Sequence, residues 1–188
     1  MKKISLFFCL VTSLLTYSQQ LFKGKENVIT FFSETPVENI SATNKNVVLV
    51  YKPATGDLQI LVYNSGFTFE KPLMQEHFHE NYMETEKFPQ SKFVGKVNQI
   101  VDLQKDGETP VTATGKLTIH GVTKDVVVGG TIKVKGGKPS MESKFKVKVA
   151  DYGIKVPSLV VTNIAEEMDV RIISSLEKIE PKIGRAHV

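Results

Sequence analysis

The chain has 188 residues, of which 41% are hydrophobic and 9% aromatic, and its formal net charge is +4. This composition predicts one globular domain with a sizeable core and excludes a disordered or fibrous protein. Arg171 and Arg185 are the only arginines. The near-neutral charge and the lack of a basic cluster argue against a nucleic-acid partner, because phosphate recognition relies on grouped basic side chains.

Residues 1–18 have the pattern of a secretory signal peptide. Lys2 and Lys3 precede an apolar run, Ile4–Leu15, that is too short to span a bilayer. We therefore expect a periplasmic or secreted protein with no stable membrane insertion once this segment is removed. The only cysteine, Cys9, leaves with the segment, so the mature protein has no thiol for a disulfide, a metal or a nucleophile.

The opposite end of the chain, residues 183–188 with the sequence IGRAHV, shows no amphipathic pattern after Pro181. We interpret it as a non-native tail, so the sequence leaves the true C terminus open. The folded domain is predicted to occupy residues 19–180.

Most of the chain between these ends has the two-residue alternation of β-strands. The pattern is clearest where Phe145, Val147 and Val149 alternate with three lysines, because successive side chains of a strand point to opposite faces. The predicted strands are Asn27–Glu34, Val37–Thr43, Val47–Lys52, Leu58–Tyr63, Phe67–Phe69, Phe93–Leu103, Val111–Ile119, Lys124–Lys135, Lys138–Val149 and Met168–Leu176. Roughly eight to ten short strands at this spacing predict a sandwich or an up-and-down barrel.

One segment, residues 72–83, departs from this alternation. Met74, Phe78 and Tyr82 recur every four residues, which places them on one side of a helix, and Pro72 suits a first helical turn. We predict one short α-helix here that covers one end of the barrel.

Two segments resemble the YceI-like family. They are Tyr82–Phe93, which reads YMETEKFPQSKF, and Gly115–Lys124, which reads GKLTIHGVTK. The resemblance extends over about Glu26–Leu176. Members of that family are exported bacterial proteins with a lipocalin-like antiparallel barrel, and some bind polyisoprenoid lipids. The resemblance thus implies a mostly β protein, a single barrel of roughly eight strands with one short helix, and a lipid-binding role.

The residues of these two segments also have local explanations. Gly121 is free to take a positive φ in a tight hairpin connection, with His120 and Lys124 facing water at the rim. Pro89 forces an extended backbone before it, which lets Phe88 turn inward.

Nothing in the sequence indicates catalysis. No nucleophile motif or phosphate-binding loop is present. His77 and His79 are two residues apart, so on a helix they point to different faces and suit a shared metal poorly. We expect no enzyme activity, no metal and no cofactor, apart from a bound isoprenoid lipid or quinone.

The apolar inner face is predicted to hold a long apolar chain of the isoprenoid type. The predicted cavity residues are Phe31, Val50, Ile60, Phe69, Phe78, Phe93, Val97, Leu117, Ile119, Phe145 and Val147, on an inner face that also includes Ile29, Val48, Leu58, Val170 and Ile172. Lys87, Lys92 and Lys124 are the candidates for contact with a ligand head group.

Two other classes of function fit the sequence. A closed-core stress-response or interaction module would use the outer surface, and a quinone-binding accessory of electron transfer would carry the redox chemistry on its ligand. Outer strand faces with Thr and Val are also compatible with a homodimer.

Overall fold

The computed structural model describes residues 20–156 and 164–180. The strands are β1 (Phe22–Ser33), β2 (Ile40–Asn44), β3 (Val47–Lys52), β4 (Asp57–Tyr63), β5 (Phe67–Phe69), β6 (Gln90–Val97), β7 (Gly107–Ile119), β8 (Val122–Lys135), β9 (Lys138–Lys148) and β10 (Glu167–Lys178). The helical elements are α1 (Pro72–His77), a π-helical turn (Phe78–Tyr82) and two 3-10 turns (Asn64–Gly66 and Val149–Tyr152).

The strands form one antiparallel sheet that closes on itself. Its order is β10-β9-β8-β7-β6-β4-β3-β1-β2-β5, and β1 also pairs with β10. β2 and β3 both pair with β1, at different points along it, and their partners β5 and β4 are likewise consecutive in the chain. β2 and β3 together therefore form one interrupted strand of the barrel, and β4 and β5 form another. The result is the predicted closed barrel of eight strands with one short helix, which is confirmed.

Two buried asparagines hold the points where these strands are interrupted. The Asn44 Nδ2 donates to the Tyr63 carbonyl at 2.8 Å. The Asn64 Nδ2 donates to the Phe88 carbonyl at 2.7 Å, and its Oδ1 accepts a hydrogen bond from the Ser91 Oγ at 2.9 Å. Because buried backbone groups need partners, these side chains replace the missing ladder bonds and tie the chain after the helix to the barrel wall.

The helical connection begins at Pro72 as predicted, but only its first part is an α-helix. The π-helical turn follows at Phe78–Tyr82. Met74, Phe78 and Tyr82 are half-buried and all border the barrel interior, as the spacing of four predicts. The change of helix type from α to π could not be predicted from that spacing.

The inward face of β3 differs from the prediction. Leu49 and Tyr51 are buried inside the barrel, whereas Val48 is 48% exposed and Val50 points outward with it. Five consecutive apolar residues give no alternation with which to choose the inner face, and a one-residue change of register exchanges the two faces.

The predicted strand Phe93–Leu103 ends early, at Val97. The Asn98 N–H still donates to the Thr112 carbonyl at 2.8 Å, but the Gln99 Oε1 then accepts the Thr112 N–H at 2.7 Å in place of the backbone. The chain turns away at this side-chain bond, and Val101 and Leu103 pack into the core from a loop.

One end of the barrel is filled by its own side chains. Phe22, Tyr51, Ile132 and Leu176 are buried there together, and none of them borders the cavity described below. Burial raises the pKa of Tyr51 above its usual value. This packed end supplies much of the hydrophobic core.

The predicted signal peptide, Cys9 and the tail at 183–188 lie outside the described residues. Within the described ranges, no helix combines the length and the apolar character needed to cross a bilayer.

Candidate ligand-binding site

The other half of the barrel encloses a cavity of about 430 Å³. Its wall comes from the inward faces of nearly every strand and from the helical connection, and it is mainly apolar. Several of these inward apolar side chains, including Leu117, Val128, Phe145 and Ile172, are only half-buried. Apolar side chains that point inward yet do not pack against one another leave room for an apolar ligand.

Ten of the eleven predicted cavity residues lie around this cavity. They are Phe31, Ile60, Phe69, Phe78, Phe93, Val97, Leu117, Ile119, Phe145 and Val147. Val50 is the exception, because it lies on the outer face of β3. The structure brings these ten residues together, and their part in ligand binding stays a prediction.

Some residues around the cavity were missed by the sequence analysis. Val126 and Val128 on β8 and Met168 on β10 also contribute to its wall. The alternation of inward and outward side chains along β8 and β10 could have identified all three. Ile154 and Val156 follow a 3-10 turn instead, so no periodicity could have identified them.

Four phenylalanines form a cluster where the helical connection crosses the barrel end. Phe31, Phe67 and Phe69 each lie 5.1–5.6 Å from the Phe78 ring, measured between centroids. Ring pairs at this distance are mutually stabilising. The cluster attaches the helical connection to β1 and β5 and covers the cavity at this end.

The Phe93 ring is accommodated by two glycines on neighbouring strands. Gly95 and Gly115 are directly paired, and a Cβ on either would come within 2.7–2.9 Å of the Phe93 Cζ. The ring therefore lies against the wall over the glycine backbone, and Phe93 is 8% exposed. A bulky residue at this position thus packs along the wall and leaves the cavity open.

His120 does not face water, contrary to the prediction. Its side chain is 11% exposed and stacks on Phe88 with 4.2 Å between ring centroids. Its Nε2 lies 2.7 Å from the Glu84 Oε2, and its Nδ1 lies 3.3 Å from the Tyr152 carbonyl oxygen. Because both partners are acceptors, the ring makes both hydrogen bonds only when both of its nitrogens are protonated.

This contact joins three segments at the rim of the barrel. The hydrogen bond with His120, followed by the charge of Lys87, holds the pKa of Glu84 below its usual value. Gly121 has a φ of 75°, and a Cβ there would lie 2.7 Å from the Phe88 Cε1. The predicted positive φ of Gly121 is confirmed, and its lack of a side chain also admits the Phe88 ring.

The three candidate head-group lysines have different surroundings. Lys87 lies 3.6 Å from the Glu84 Oε1 and 5.0 Å from the Phe88 ring centroid. Lys92 borders the cavity but is exposed on the strand face opposite to Phe93. Lys124 is exposed as predicted, yet it lies on the same face of β8 as Val126 and Val128. Their contact with a head group stays a prediction.

His77 and His79 belong to the helical connection, on either side of the change from α1 to the π-helical turn. Within residues 20–156 and 164–180, no three His, Cys, Asp or Glu side chains are grouped so that they could hold a metal ion.

A family model described as the YceI-like domain matches residues 18–175. The chain belongs to this family. The resemblance of the two segments Tyr82–Phe93 and Gly115–Lys124 to the YceI-like family is therefore confirmed. These two segments contain Glu84, Phe88 and His120, which form the contact at the barrel rim.

A curated YceI-like relative is the UPF0312 protein plu2095 of Photorhabdus laumondii. It is 28% identical over 141 residues, which are 71% of this chain and 62% of that protein. The chain thus spans less than two thirds of the length of this relative.

Solved structures show the same YceI-like fold. A domain from Saccharophagus degradans, described as a polyisoprenoid binding domain implicated in plant cell wall breakdown, matches with a TM-score of 0.72 at 12% identity and covers 84% of this chain and 98% of that one. BcnA of Burkholderia cenocepacia matches with a TM-score of 0.66 at 17% identity, over 79% of this chain and 95% of that one. Identities this low establish the shared architecture only.

Proposed function

We propose that this protein is an exported, non-catalytic carrier that holds a long apolar chain of the isoprenoid type inside its barrel. The observation that supports it is the cavity of about 430 Å³ whose inward apolar wall is left half-buried. The description of the Saccharophagus degradans domain as polyisoprenoid binding agrees with this ligand class. The closed-core alternative expects a filled interior, which the described barrel does not have.

The strength of apolar contacts sets a lower limit on the length of the ligand. Burial of one five-carbon isoprene unit contributes about 4 kcal/mol before costs, at about 0.8 kcal/mol for each carbon. Association itself costs roughly 4–15 kcal/mol. One or two units therefore give little net affinity, whereas a chain of about four units or more binds through apolar contact alone.

The direct test is to identify what the protein carries. The full chain is expressed with its own N terminus, purified from the exported fraction without detergent, and examined by native mass spectrometry and by lipid extraction. We expect a stoichiometric apolar compound with isoprenoid fragments. Ultraviolet absorbance of the extract distinguishes a quinone, which would favour the electron-transfer alternative, from a polyprenyl alcohol or phosphate.

The same preparation tests export. Amino-terminal sequencing of the exported protein is expected to begin at Gln19. A barrel that is empty after mild purification, and that neither takes up geranylgeraniol nor binds an apolar dye, would contradict the carrier function. A protein that remains in the cytoplasm would contradict export alone.

A further inference from the structure

The barrel wall is incomplete between β8 and β9. These strands pair only from Gly130 with Ser143 to Lys135 with Lys138. On their other edges both strands are paired as far as Val122 and Lys148. The stretches Val122–Gly129 of β8 and Lys144–Lys148 of β9 therefore face each other without a ladder. We call this gap in the wall the cleft.

The residues at the inner end of the cleft explain why the strands separate there. The Ser143 Oγ donates to the Gly129 carbonyl at 2.6 Å, so a side chain takes the place of a backbone donor. A Cβ on Gly130 would lie 2.7 Å from the Glu142 carbonyl oxygen, whereas a Cβ on Gly129 would meet nothing within 4 Å. The backbones of β8 and β9 are thus in close contact at Gly130, the last residue of β8 that pairs with β9 on this side. Glycine within a strand often marks such an irregularity.

The cavity extends to both sides of the cleft. Val126, Val128 and Gly129 border it from β8, and Phe145 and Val147 border it from β9. If the ladder continued in register, Val128 would be paired with Phe145. They are not paired, and their half-buried side chains border the cavity from the two sides of the cleft.

Within the described residues, packed side chains cover two other parts of the cavity wall. Phe31, Phe67, Phe69 and Phe78 cover the end beneath the helical connection. The opposite end is filled by the buried group that includes Tyr51. Beyond the outer end of the cleft, the contact of His120 with the Tyr152 carbonyl links the β7–β8 hairpin to the 3-10 turn that follows β9.

A positive charge lies at the edge of the cleft. Lys124 continues the inward-facing row of Val126 and Val128 on β8. The described residues provide no ion-pair partner for it. A lysine that extends an apolar row in this way suits a ligand with an apolar chain and an anionic end.

We infer that the cleft between β8 and β9 is where the apolar ligand enters and leaves the barrel, and that an anionic end of the ligand binds there beside Lys124. This inference rests on the proposed carrier function. It assigns the ligand to the class of long apolar chains that end in a phosphate or a similar anion.

The entry route is tested by closing the cleft from outside. Val127→Cys and Lys146→Cys, made together with Cys9→Ser in the full chain, place two thiols on the outer face at positions that an extended ladder would pair. A short bismaleimide then links them without filling the cavity. The control is the pair Thr118→Cys and Thr123→Cys, which are already partners in the β7–β8 ladder.

Binding rates are measured by displacement of the apolar dye N-phenyl-1-naphthylamine by geranylgeranyl phosphate. The link across the cleft is expected to lower the association and dissociation rates together by at least about tenfold, with Kd almost unchanged, because a barrier affects both directions alike. The control link should change neither rate. Unchanged rates in the protein linked across the cleft would overturn the route.

The anionic end is tested with Lys124→Gln and the matched control Lys148→Gln on the opposite edge. We expect Lys124→Gln to weaken geranylgeranyl phosphate about fivefold and to leave geranylgeraniol unchanged, since one exposed charge contributes about this much. An equal effect on both ligands, or none, would overturn the assignment. If the protein forms a dimer that dissociates when the cleft is linked, the edges of the cleft pair with a second copy of the chain instead of admitting a ligand. Failure of the unlinked protein to bind either geranylgeraniol or geranylgeranyl phosphate would refute the carrier function itself.

Discussion

A tryptophan at position 117 should test whether the cavity is the ligand site, because the chain has no tryptophan of its own. Leu117 points inward from β7, is half-buried and borders the cavity. An indole there occupies roughly the room of one isoprene unit, whose burial is worth about 4 kcal/mol. A flexible ligand that shifts outward in the cavity regains part of this apolar contact. We therefore expect Leu117→Trp to lose about 1.4–2.8 kcal/mol of binding, or roughly 10- to 100-fold in Kd.

The matched control is Val94→Trp on the adjacent strand, where the side chain is 48% exposed on the outer face. Each variant is titrated with geranylgeraniol while its indole emission is recorded, and Kd is obtained by dye displacement. The emission of Leu117→Trp should shift to shorter wavelength on binding, and that of Val94→Trp should not. Wild-type affinity in Leu117→Trp, with an emission that does not respond, would show that the ligand binds elsewhere.

Three further changes test the framework of the site by urea unfolding. Asn64→Ala leaves two buried hydrogen-bonding partners unsatisfied and should cost about 2–4 kcal/mol, whereas Asn98→Ala, at an exposed site, should cost under about 1 kcal/mol. Gly121→Ala places a Cβ against the Phe88 ring at a residue whose φ is already positive. It should lower the free energy of unfolding more than Gly137→Ala, where φ is similar but the space around the Cβ is open. Equal losses of stability would exclude the clash with Phe88. Glu84→Gln should be less stable than wild type at pH 7, and the difference should shrink as the pH falls below 4.5. The lowered folded pKa of Glu84 gives stability that is present above the usual value of 4.5 and lost as pH falls through the folded value, so a stability difference that stays constant as the pH is lowered past 4.5 would refute this hydrogen bond.

The sequence predicted the barrel well wherever polar residues mark the outer face. In β9 the lysines alternate with Phe145 and Val147, and the structure places the two apolar residues inside. In β3 the run Val47–Tyr51 has no polar residue, so Val50 was assigned to the wrong face. The inner face of that strand follows from its pairing with β4, in which Leu49 is opposite Ile60, and such pairing is a tertiary property.

Contacts between distant segments were the part of the site that the sequence could not provide. His120 was assigned to the water-exposed rim because a hairpin turn usually is exposed. Its partners Glu84 and Tyr152 are 36 and 32 residues away in the chain. The cleft was missed for a related reason, since the pairing of two strands is a tertiary property and in the sequence only the glycines at 129 and 130 indicate an irregularity.

Between β8 and β9, the barrel wall is closed where the interior is packed and open beside the cavity. The paired stretch of β8 and β9 contains Ile132 opposite Met141, and both side chains are buried in the core. Beyond Gly130 the corresponding side chains, Val128 and Phe145, have only the cavity before them. Cross-strand side-chain packing stabilises a sheet, and Val128 and Phe145 lack it across the cleft although each is paired on its other edge. An apolar chain in the cavity would supply the missing contacts to both edges, which makes the ligand a replacement for the part of the core that the protein does not fill itself.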